Sequence, residues 1–474
     1  MEVRLPARRF VQSIFRDLSP PPHPGPRRRG GRALAAVFAY TGGMRLPALF
    51  SALESRNYRL FFGGQIVSLI GTWMTQTASL WLVYHLSSSP FLLGVVGFAS
   101  QIPIFFLAPF AGVWIDRVNR HRLLVGTQVA AMIQSFALAA FALTGTITVT
   151  HLVVLSLVQG IINALDMPTR QALVVEFVER KEHLGNAIAL NSSLFNLARL
   201  VGPALAGFVV AARGPGFCYL VDGLSYVAVI VALLAMRLRE RPPRKVAQHP
   251  LIELQQGFHY AFGFAPIAAL IGLVAAISAV GFSYTVLTPI FARDVFQGDA
   301  RTLGALMSAS GVGALSGALY LSTRRTVRGL GNVITFGGTV MGLGLIGFAL
   351  SHWLSLSLVC LTLTGMGGVL LMASCNTLVQ TLVDDDKRGR VMSIYSMAFT
   401  GTMPVGNLLV GYLAGRAGTA ITLATCGALC IFVAGLFFRS LPRLRAVAAP
   451  ILAKLDTSEI EPVVPPAAKP EVPR

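Results

Sequence analysis

Long apolar stretches, separated by short polar segments, run through most of the chain. Twelve of them come close to or exceed the about 20 residues that a helix needs to cross the hydrocarbon core of a membrane. Their approximate limits are 60–84, 91–115, 123–145, 149–167, 187–212, 217–236, 266–291, 303–322, 332–350, 354–376, 391–414 and 418–438. Their residues do not alternate with period two, as the strands of a membrane barrel would. The pattern therefore predicts an all-α integral membrane protein with twelve transmembrane helices.

The composition agrees with a chain that is mostly surrounded by lipid. A soluble domain carries about 25% charged residues, whereas this chain has 12% and is 54% hydrophobic. No polar segment is long enough to form a soluble catalytic domain, so we expect no enzyme activity. The five cysteines all lie inside apolar stretches without metal-ligand spacing. We expect no metal site, no cofactor and no disulfide framework.

The basic residues are distributed unevenly between the loops. The net charge is +19. With the N-terminus inside, the inner loops carry 17 Lys and Arg (three, three, five, three and three), and the outer loops carry four. Because Lys and Arg collect in cytoplasmic loops, both termini and the loop 237–265 are predicted to be cytoplasmic. Topology thus accounts for the positive charge, and no nucleic-acid partner is expected.

Neither end of the chain contains a span. Residues 1–57 form a basic segment that we place in the cytoplasm, and within residues 1–43 no stretch is long enough to cross. This part is either disordered or an extension before a true start at Met44, where an amphipathic segment begins. Residues 439–474 are rich in Pro, Ala and Glu and are predicted to be a disordered cytoplasmic tail.

The two halves of the chain repeat at an offset of 204 residues. The spans shift together, and three glycines fall on three others: Gly185, Gly202 and Gly207 on Gly389, Gly406 and Gly411. Six spans per repeat give both halves the same orientation, related by an axis along the membrane normal. We therefore predict an N-terminal six-helix bundle over 58–236, a linker over 237–265 and a C-terminal six-helix bundle over 266–438. Such bundles enclose a cavity that opens alternately to each side, which favours transport.

The loop after span 2 carries a recognisable motif. Residues 112–122 read GVWIDRVNRHR, which resembles the signature loop of the major facilitator superfamily, G-x-x-x-D-R-x-G-R-[RK]. The resemblance implies that Gly112 allows close helix approach and that Asp116 closes an inner latch. Asn119 stands where the family prefers glycine, and we expect a turn there, because Asn tolerates left-handed backbone. The latch motif comprises Gly112, Asp116, Arg117, Arg120 and Arg122.

Span 5 contains a second motif. Residues 199–207 read RLVGPALAG, similar to the antiporter motif G-P-x-x-G-G of exporters in the superfamily, with Gly202, Pro203 and Gly207 matching. Small-residue helix packing explains the glycines equally well, so the motif favours export only modestly. Residues 56–62, 163–172 and 388–393 resemble the bacterial branch of enterobactin exporters and macrolide-efflux proteins. This implies a transporter of the bacterial inner membrane that exports amphipathic compounds.

Few charges lie inside the spans. Arg199 is near the middle of span 5, where a charge costs at least about 2.5–3.5 kcal/mol. We expect it to face the cavity and to meet an acid, Asp222 before Asp166, or an anionic group of the substrate. Many proton-coupled relatives carry R-x-x-Q-G in span 4, but here Ser156 stands at the arginine position. Arg199 is therefore our candidate replacement, and Asp166 is more simply a packing or capping acid.

Polar and aromatic groups in mid-span are candidates for lining the cavity. They are Gln65, Trp73, Gln76, Gln128, Gln134, Asn196, Tyr284 and Asn407. We expect roughly half of them to line it, because polar intramembrane groups often face pathways. Since few are charged, an amphipathic or aromatic substrate fits better than a sugar or a small ion.

Three classes of function remain at this point. The leading hypothesis is a monomeric proton-driven exporter of siderophores or drugs. The first alternative is a proton-coupled uptake symporter on the same fold. The second is a membrane receptor or scaffold that transports nothing. The phosphate-binding motif of ATP-driven pumps is absent from the sequence.

Overall fold

The computed structural model describes residues 50–236, 250–324, 326–384 and 386–458. These residues form fourteen α-helices. They are α1 (Arg56–Ser87), α2 (Pro90–Arg117), α3 (Arg120–Leu143), α4 (Val149–Phe177), α5 (Leu184–Arg213), α6 (Pro215–Leu234), α7 (Pro250–Gly263), α8 (Ala265–Gly281), α9 (Tyr284–Ile290), α10 (Ala300–Ser322), α11 (Leu330–Leu350), α12 (Leu354–Leu382), α13 (Arg388–Ala417) and α14 (Thr419–Ser458). Two single 3₁₀ turns precede α1 and α5, and a π-helical turn, Phe291–Val295, follows α9.

Side-chain caps fix the starts of several helices. Ser89, Asn119 and Thr148 each accept a hydrogen bond from a backbone N–H in the first turn of α2, α3 and α4. Such caps satisfy donors that the helix itself leaves unpaired. They support the short connections of two to five residues that lead into α2, α3 and α4.

Eleven helical segments are long and apolar enough to cross a membrane, among the residues that the structure describes. One of them joins α8, α9 and the π turn into a single segment, Ala265–Val295. These helices confirm the predicted all-α transmembrane architecture. The remaining predicted span corresponds to α13, a 30-residue helix that is more polar than the others and begins and ends with arginines.

Helix packing repeats between the first and the second half. In the first half, α1 packs on α5 and α6, α2 on α4, and α3 on α4 and α6. In the second half, α8 packs on α13 and α14, α10 on α12, and α11 on α12 and α14, which is the same pattern. The contacts between the halves are equivalent in the same way. The helix α2 packs on α13, and their counterparts in the repeat, α10 and α5, pack on each other. The limits of the two bundles, 58–236 and 266–438, stay a prediction.

Span 7 is interrupted where the sequence predicts one continuous helix over 266–291. Its first part, α8, ends at Gly281, and α9 begins at Tyr284 after a short turn. Pro289 lies inside α9, and a proline there removes one helical hydrogen bond and crowds the preceding turn. The chain continues into a π-helical turn in which the Phe296 N–H donates to the Phe291 carbonyl.

Span 4 extends further than predicted. The predicted span covers 149–167, yet α4 runs through Pro168 to Phe177. Arg170, which we had counted in a loop, therefore lies on the same helix as Asp166.

The ends and the linker also differ from expectation. Residues 439–458, which we predicted to be disordered, continue α14 as a helix, with Leu441 and Ala448 buried against the second half. Within the predicted linker, residues 250–263 form α7, which packs against α13. Residues 1–49, 237–249 and 459–474 lie outside the described residues, and so do the predictions made for them.

Candidate transport site

Glycines bring the two halves into close contact. A Cβ atom added at Gly207 of α5 would lie 2.7 Å from the Ala300 carbonyl oxygen at the start of α10. On the other side, a Cβ added at Gly94 of α2 would lie 2.6 Å from the Asn407 carbonyl oxygen of α13. Glycine is needed at both places because any larger residue would push the halves apart.

The antiporter-like motif lies at this junction. A Cβ at Gly202 would collide with the Trp73 side chain on α1, inside the first half. The Pro203 carbonyl faces Gly304 of α10, and Gly207 contacts the same helix. The motif thus packs α5 against α1 on one side and against the second half on the other.

The glycines paired by the 204-residue offset have equivalent neighbours. Gly406 packs against Ala279 of α8, as Gly202 packs against α1. Gly411 packs against Pro90 across the halves, as Gly207 packs against α10. The internal repeat therefore extends to individual contacts.

A partly exposed aromatic and polar face runs along α5 beside α10. The Phe195 ring lies 5.8 Å from the Trp73 ring in an edge-to-face arrangement. Asn196 and Arg199 follow within one turn, and both are half-buried. Next to them, Ser308 of α10 donates a 2.8 Å hydrogen bond to the Leu200 carbonyl. This face, formed by Trp73, Phe195, Asn196 and Arg199, is defined here as the α5 face.

Arg199 does not meet the acid that the sequence suggested. Its side chain has no hydrogen bond or ion pair within the described parts of the chain, and Asp222 bonds elsewhere. The expected Arg199–Asp222 pair is therefore wrong. The physical reason is position, because Asp222 lies between α1, α3 and α6, whereas Arg199 lies near α10.

The intramembrane cation that meets an acid is Arg170. Its Nη2 forms an ion pair with Asp166 one turn earlier on α4, and its Nη1 donates to Gln65 Oε1 of α1 at 2.5 Å. Asp166 also accepts hydrogen bonds from Thr127 at 2.8 Å and from Gln128 at 2.5 Å, both on α3. This network compensates the carboxylate charge and joins α1, α3 and α4.

Asp222 has a different environment. It is 2% exposed, and it accepts hydrogen bonds from the hydroxyls of Ser135 at 2.8 Å and Thr75 at 3.0 Å. Its second oxygen has no partner among the described residues, and Gly71 of α1 packs directly against it. No described basic side chain forms an ion pair with it. Asp222 is thus a buried acid held by hydroxyl groups alone.

The predicted cavity residues divide into three groups. Gln65, Gln128 and Gln134 are at most 5% exposed and bond to neighbours inside the first half, with Gln134 donating to the Leu155 carbonyl. These three tie helices together. Trp73 and Asn196 are half-buried and Gln76 is exposed, which leaves them able to meet a substrate.

Tyr284 and Asn407 are buried without complete hydrogen bonding. The Tyr284 hydroxyl and the Asn407 Oδ1 have no partner within the described residues, although both residues are at most 3% exposed. Tyr284 begins α9 at the break in span 7, and Asn407 lies against Gly97 of α2, which also contacts Val286 of α9. Unpaired buried polar atoms are costly, so this junction is suited to receive a polar group.

The latch loop is described only in part. The side chains of Gly112, Asp116 and Arg117 lie outside the described residues, and the latch stays a prediction. Arg120 forms a 3.3 Å ion pair with Glu176 of α4, while Arg122 is exposed. Asn119 does not adopt the left-handed turn that we expected. Its φ is −68°, and it caps α3 instead.

A polar contact joins the halves near the ends of span 1 and span 7. The Tyr84 hydroxyl of α1 donates to Asp294 in the π turn. Arg293 donates to the Tyr84 carbonyl at 3.3 Å and to Ser88 Oγ at 3.2 Å. The positive charge of Arg293 also lies over the Tyr84 ring, 5.6 Å from its centre. Tyr84, Arg293 and Asp294 form what we call the outer contact.

A family model described as transmembrane secretion effector matches residues 48–468. This chain belongs to that family of the major facilitator superfamily. It is 26% identical over 385 residues to the staphyloferrin A transporter of Staphylococcus aureus, covering 80% of this chain and 95% of the relative. It is 26% identical over 392 residues to the multidrug efflux pump Tap of Mycolicibacterium fortuitum, covering 79% and 93%. The solved nucleoside transporter NupG superimposes with a TM-score of 0.63 at 15% identity, covering 82% of this chain and 99% of that structure.

These similarities confirm the predicted resemblance to the siderophore and drug-efflux branch. Several polar residues that form contacts at these sites were not predicted from the sequence. They include Thr75, Ser135, Arg170 and Asp294. Only Arg170 left a usable signal, its spacing of four residues from Asp166, which places both on one helix face. Within the described ranges, no three His, Cys, Asp or Glu side chains are arranged to hold a metal ion.

Proposed function

We propose that this membrane transporter exports amphipathic small molecules, siderophore-like or drug-like, by alternating access and proton antiport. Two six-helix bundles, 58–236 and 266–438, move against each other, with both termini in the cytoplasm of a bacterial cell and the chain acting as a monomer. The relatives, the staphyloferrin A transporter and the multidrug efflux pump Tap, support this substrate class.

The observation that carries proton coupling is the environment of Asp222. A buried carboxylate without a cation is expensive, so the acid is neutral while it is enclosed. Ser135 and Thr75 suit either form, because a hydroxyl can donate to the carboxylate or accept from the acid. Asp166, by contrast, forms an ion pair with Arg170. For antiport, Asp222 takes up its proton from water on the outer side, keeps it while it is enclosed, and releases it when water reaches it from the cytoplasm.

The substrate contacts are the α5 face and the junction of α9 and α13, which is formed by Tyr284 and Asn407. The aromatic pair of Trp73 and Phe195 offers apolar surface, and Arg199 offers a positive charge to an anionic group. Tyr284 and Asn407 supply unpaired polar atoms from the second half. A substrate that bridges the two sets binds both halves at once, which is what couples binding to their movement.

The close contacts between the halves favour an inward-open state. Gly94, Gly207 and the outer contact all lie in the parts of their helices nearest Ser88, at the end predicted to be extracellular. Export from this state begins with substrate entry from the cytoplasm.

The decisive experiment uses everted membrane vesicles with an imposed pH gradient and a panel of siderophores and macrolides. Asp222→Asn should lose gradient-driven transport and keep substrate exchange without a gradient, because it cannot carry the proton yet preserves the hydrogen bonds. Asp299→Asn, at an exposed acid, is the matched control and should behave as the wild type. Full gradient-driven transport by Asp222→Asn would rule out this proton site.

The direction of transport needs a separate measurement. If substrate accumulates in right-side-out vesicles with an inward proton gradient and not in everted ones, the protein is the uptake symporter. The antiporter-like motif, with Pro203 and Gly207 at the junction of the halves, favours export.

A further inference from the structure

A cavity of about 350 Å³ lies in the second half, away from the transport site. It is lined by the start of α8, the end of α12, residues 437–449 of α14 and the loop that leads into α11. All of these segments belong to the side that the loop charges predict to be cytoplasmic. The volume falls within the about 300–1,000 Å³ of small-molecule sites.

The inner wall of the cavity is apolar. Leu270, Leu382, Phe437 and Leu441 are each at most 6% exposed and face it from α8, α12 and α14. No Asp or Glu is among the lining residues. This wall suits a hydrocarbon chain.

Two arginines line the same cavity. Arg328 comes from the loop before α11, and Arg445 comes from α14. Arg445 donates to Asn332 at 2.7 Å, but a guanidinium has five N–H donors, so it can bind an anion as well. Both arginines are exposed at the end of the helices, where the phosphates of the lipids lie.

The loop that carries Arg328 is held in place. Arg324 Nη2 donates to the Arg328 carbonyl at 2.8 Å, and Gly329 turns the chain into α11 with a φ of +79°. Only glycine adopts this backbone without strain. The backbone position of Arg328 is therefore fixed by the fold.

We propose that this cavity binds an anionic phospholipid of the adjacent leaflet, with one acyl chain along the apolar wall and the phosphate between Arg328 and Arg445. Basic pockets between transmembrane helices on the cytoplasmic side are suited to such headgroups. The cavity combines positive charge with an apolar wall. A free phosphate would use only the charge, whereas a phospholipid uses both, so the lipid is the better fit. The site does not depend on which compound the transporter moves.

The test measures phosphatidylglycerol bound to the full-length protein in dodecyl maltoside by native mass spectrometry, with phosphatidylcholine as the uncharged-headgroup comparison. At about 1 kcal/mol per basic residue, Arg328→Gln and Arg445→Gln should each weaken phosphatidylglycerol binding about fivefold, and the double variant about thirtyfold. Arg443→Gln is the matched control, since Arg443 is exposed two residues before Arg445 and does not line the cavity. It should bind as the wild type.

A second pair of variants tests the apolar wall. Ala449 lines the cavity and Ala446 does not, although both are exposed on α14. Ala449→Trp should block phosphatidylglycerol, and Ala446→Trp should leave it bound. Three results would overturn the proposal. They are equal binding of phosphatidylcholine, an equal loss in the Arg443 or Ala446 controls, or binding only after truncation at Ser458, which would mean that the chain's own tail fills the cavity.

Discussion

Removing Arg170 should destabilise the first half severely. The Arg170–Asp166 pair is largely buried, with side chains 21% and 5% exposed, and Gln65 shares its donors. Arg170→Leu leaves the carboxylate of Asp166 and the amide oxygen of Gln65 without their cation. Breaking one partner of a buried pair costs about 3–5 kcal/mol of unfolding free energy. Because the hydrogen bonds from Thr127 and Gln128 to Asp166 remain, we expect a loss of unfolding free energy near the lower limit of this range.

The measurement is reversible SDS unfolding of the purified protein. Asp166→Asn combined with Arg170→Gln should recover most of the loss, because the amides still bond to one another and no charge is left uncompensated. The control is Arg301→Gln, which breaks an ion pair with Asp299 whose side chains are 59% and 54% exposed. It should cost less than about 1 kcal/mol. The matching single variants are Asp166→Asn and Arg170→Gln. If their losses simply add in the double variant, the network does not act as we describe.

The other predictions concern conformational change, substrate binding and topology. Gly207→Leu should trap an outward-open conformation, because its side chain needs space that α10 occupies; unchanged cysteine accessibility on both sides would contradict this. Arg199→Leu should fold as well as the wild type but lose efflux of anionic substrates while keeping that of neutral ones, and Arg199→Lys should retain part of the anionic efflux and keep the neutral efflux. An equal loss for neutral substrates would mean a structural role. Asp116→Asn should slow transport without affecting membrane insertion, and normal kinetics at normal expression would refute the latch. A cysteine at Ser88 should react with an impermeant reagent from outside and one at Gln248 only after permeabilisation, with low background because the native cysteines are buried. The opposite pattern would reverse the topology.

The contacts between polar residues show which features of the site local sequence patterns can and cannot predict. Arg199 drew attention because a charge in mid-span is costly, but cost alone does not identify a partner. The predicted span ends at residue 167 and leaves Arg170 in the following loop, whereas α4 continues through Pro168 and places Arg170 one turn after Asp166. The partners of Asp222, Thr75 and Ser135, are ordinary hydroxyl residues that no spacing rule distinguishes.

The sequence by itself determined the architecture of this transporter. Each transmembrane helix must satisfy its own backbone and be apolar over its whole length, so its existence can be read from about 20 consecutive residues. The repeat is likewise a property of the chain, visible in Gly202 and Gly207 before their contacts are known. Only the tertiary structure decided which polar groups meet, because contacts between α1, α3, α4 and α6 depend on how each helix is rotated and how deep it lies. It also decided that residues 439–458 are helical, since packing of Leu441 against the second half outweighs their polar composition.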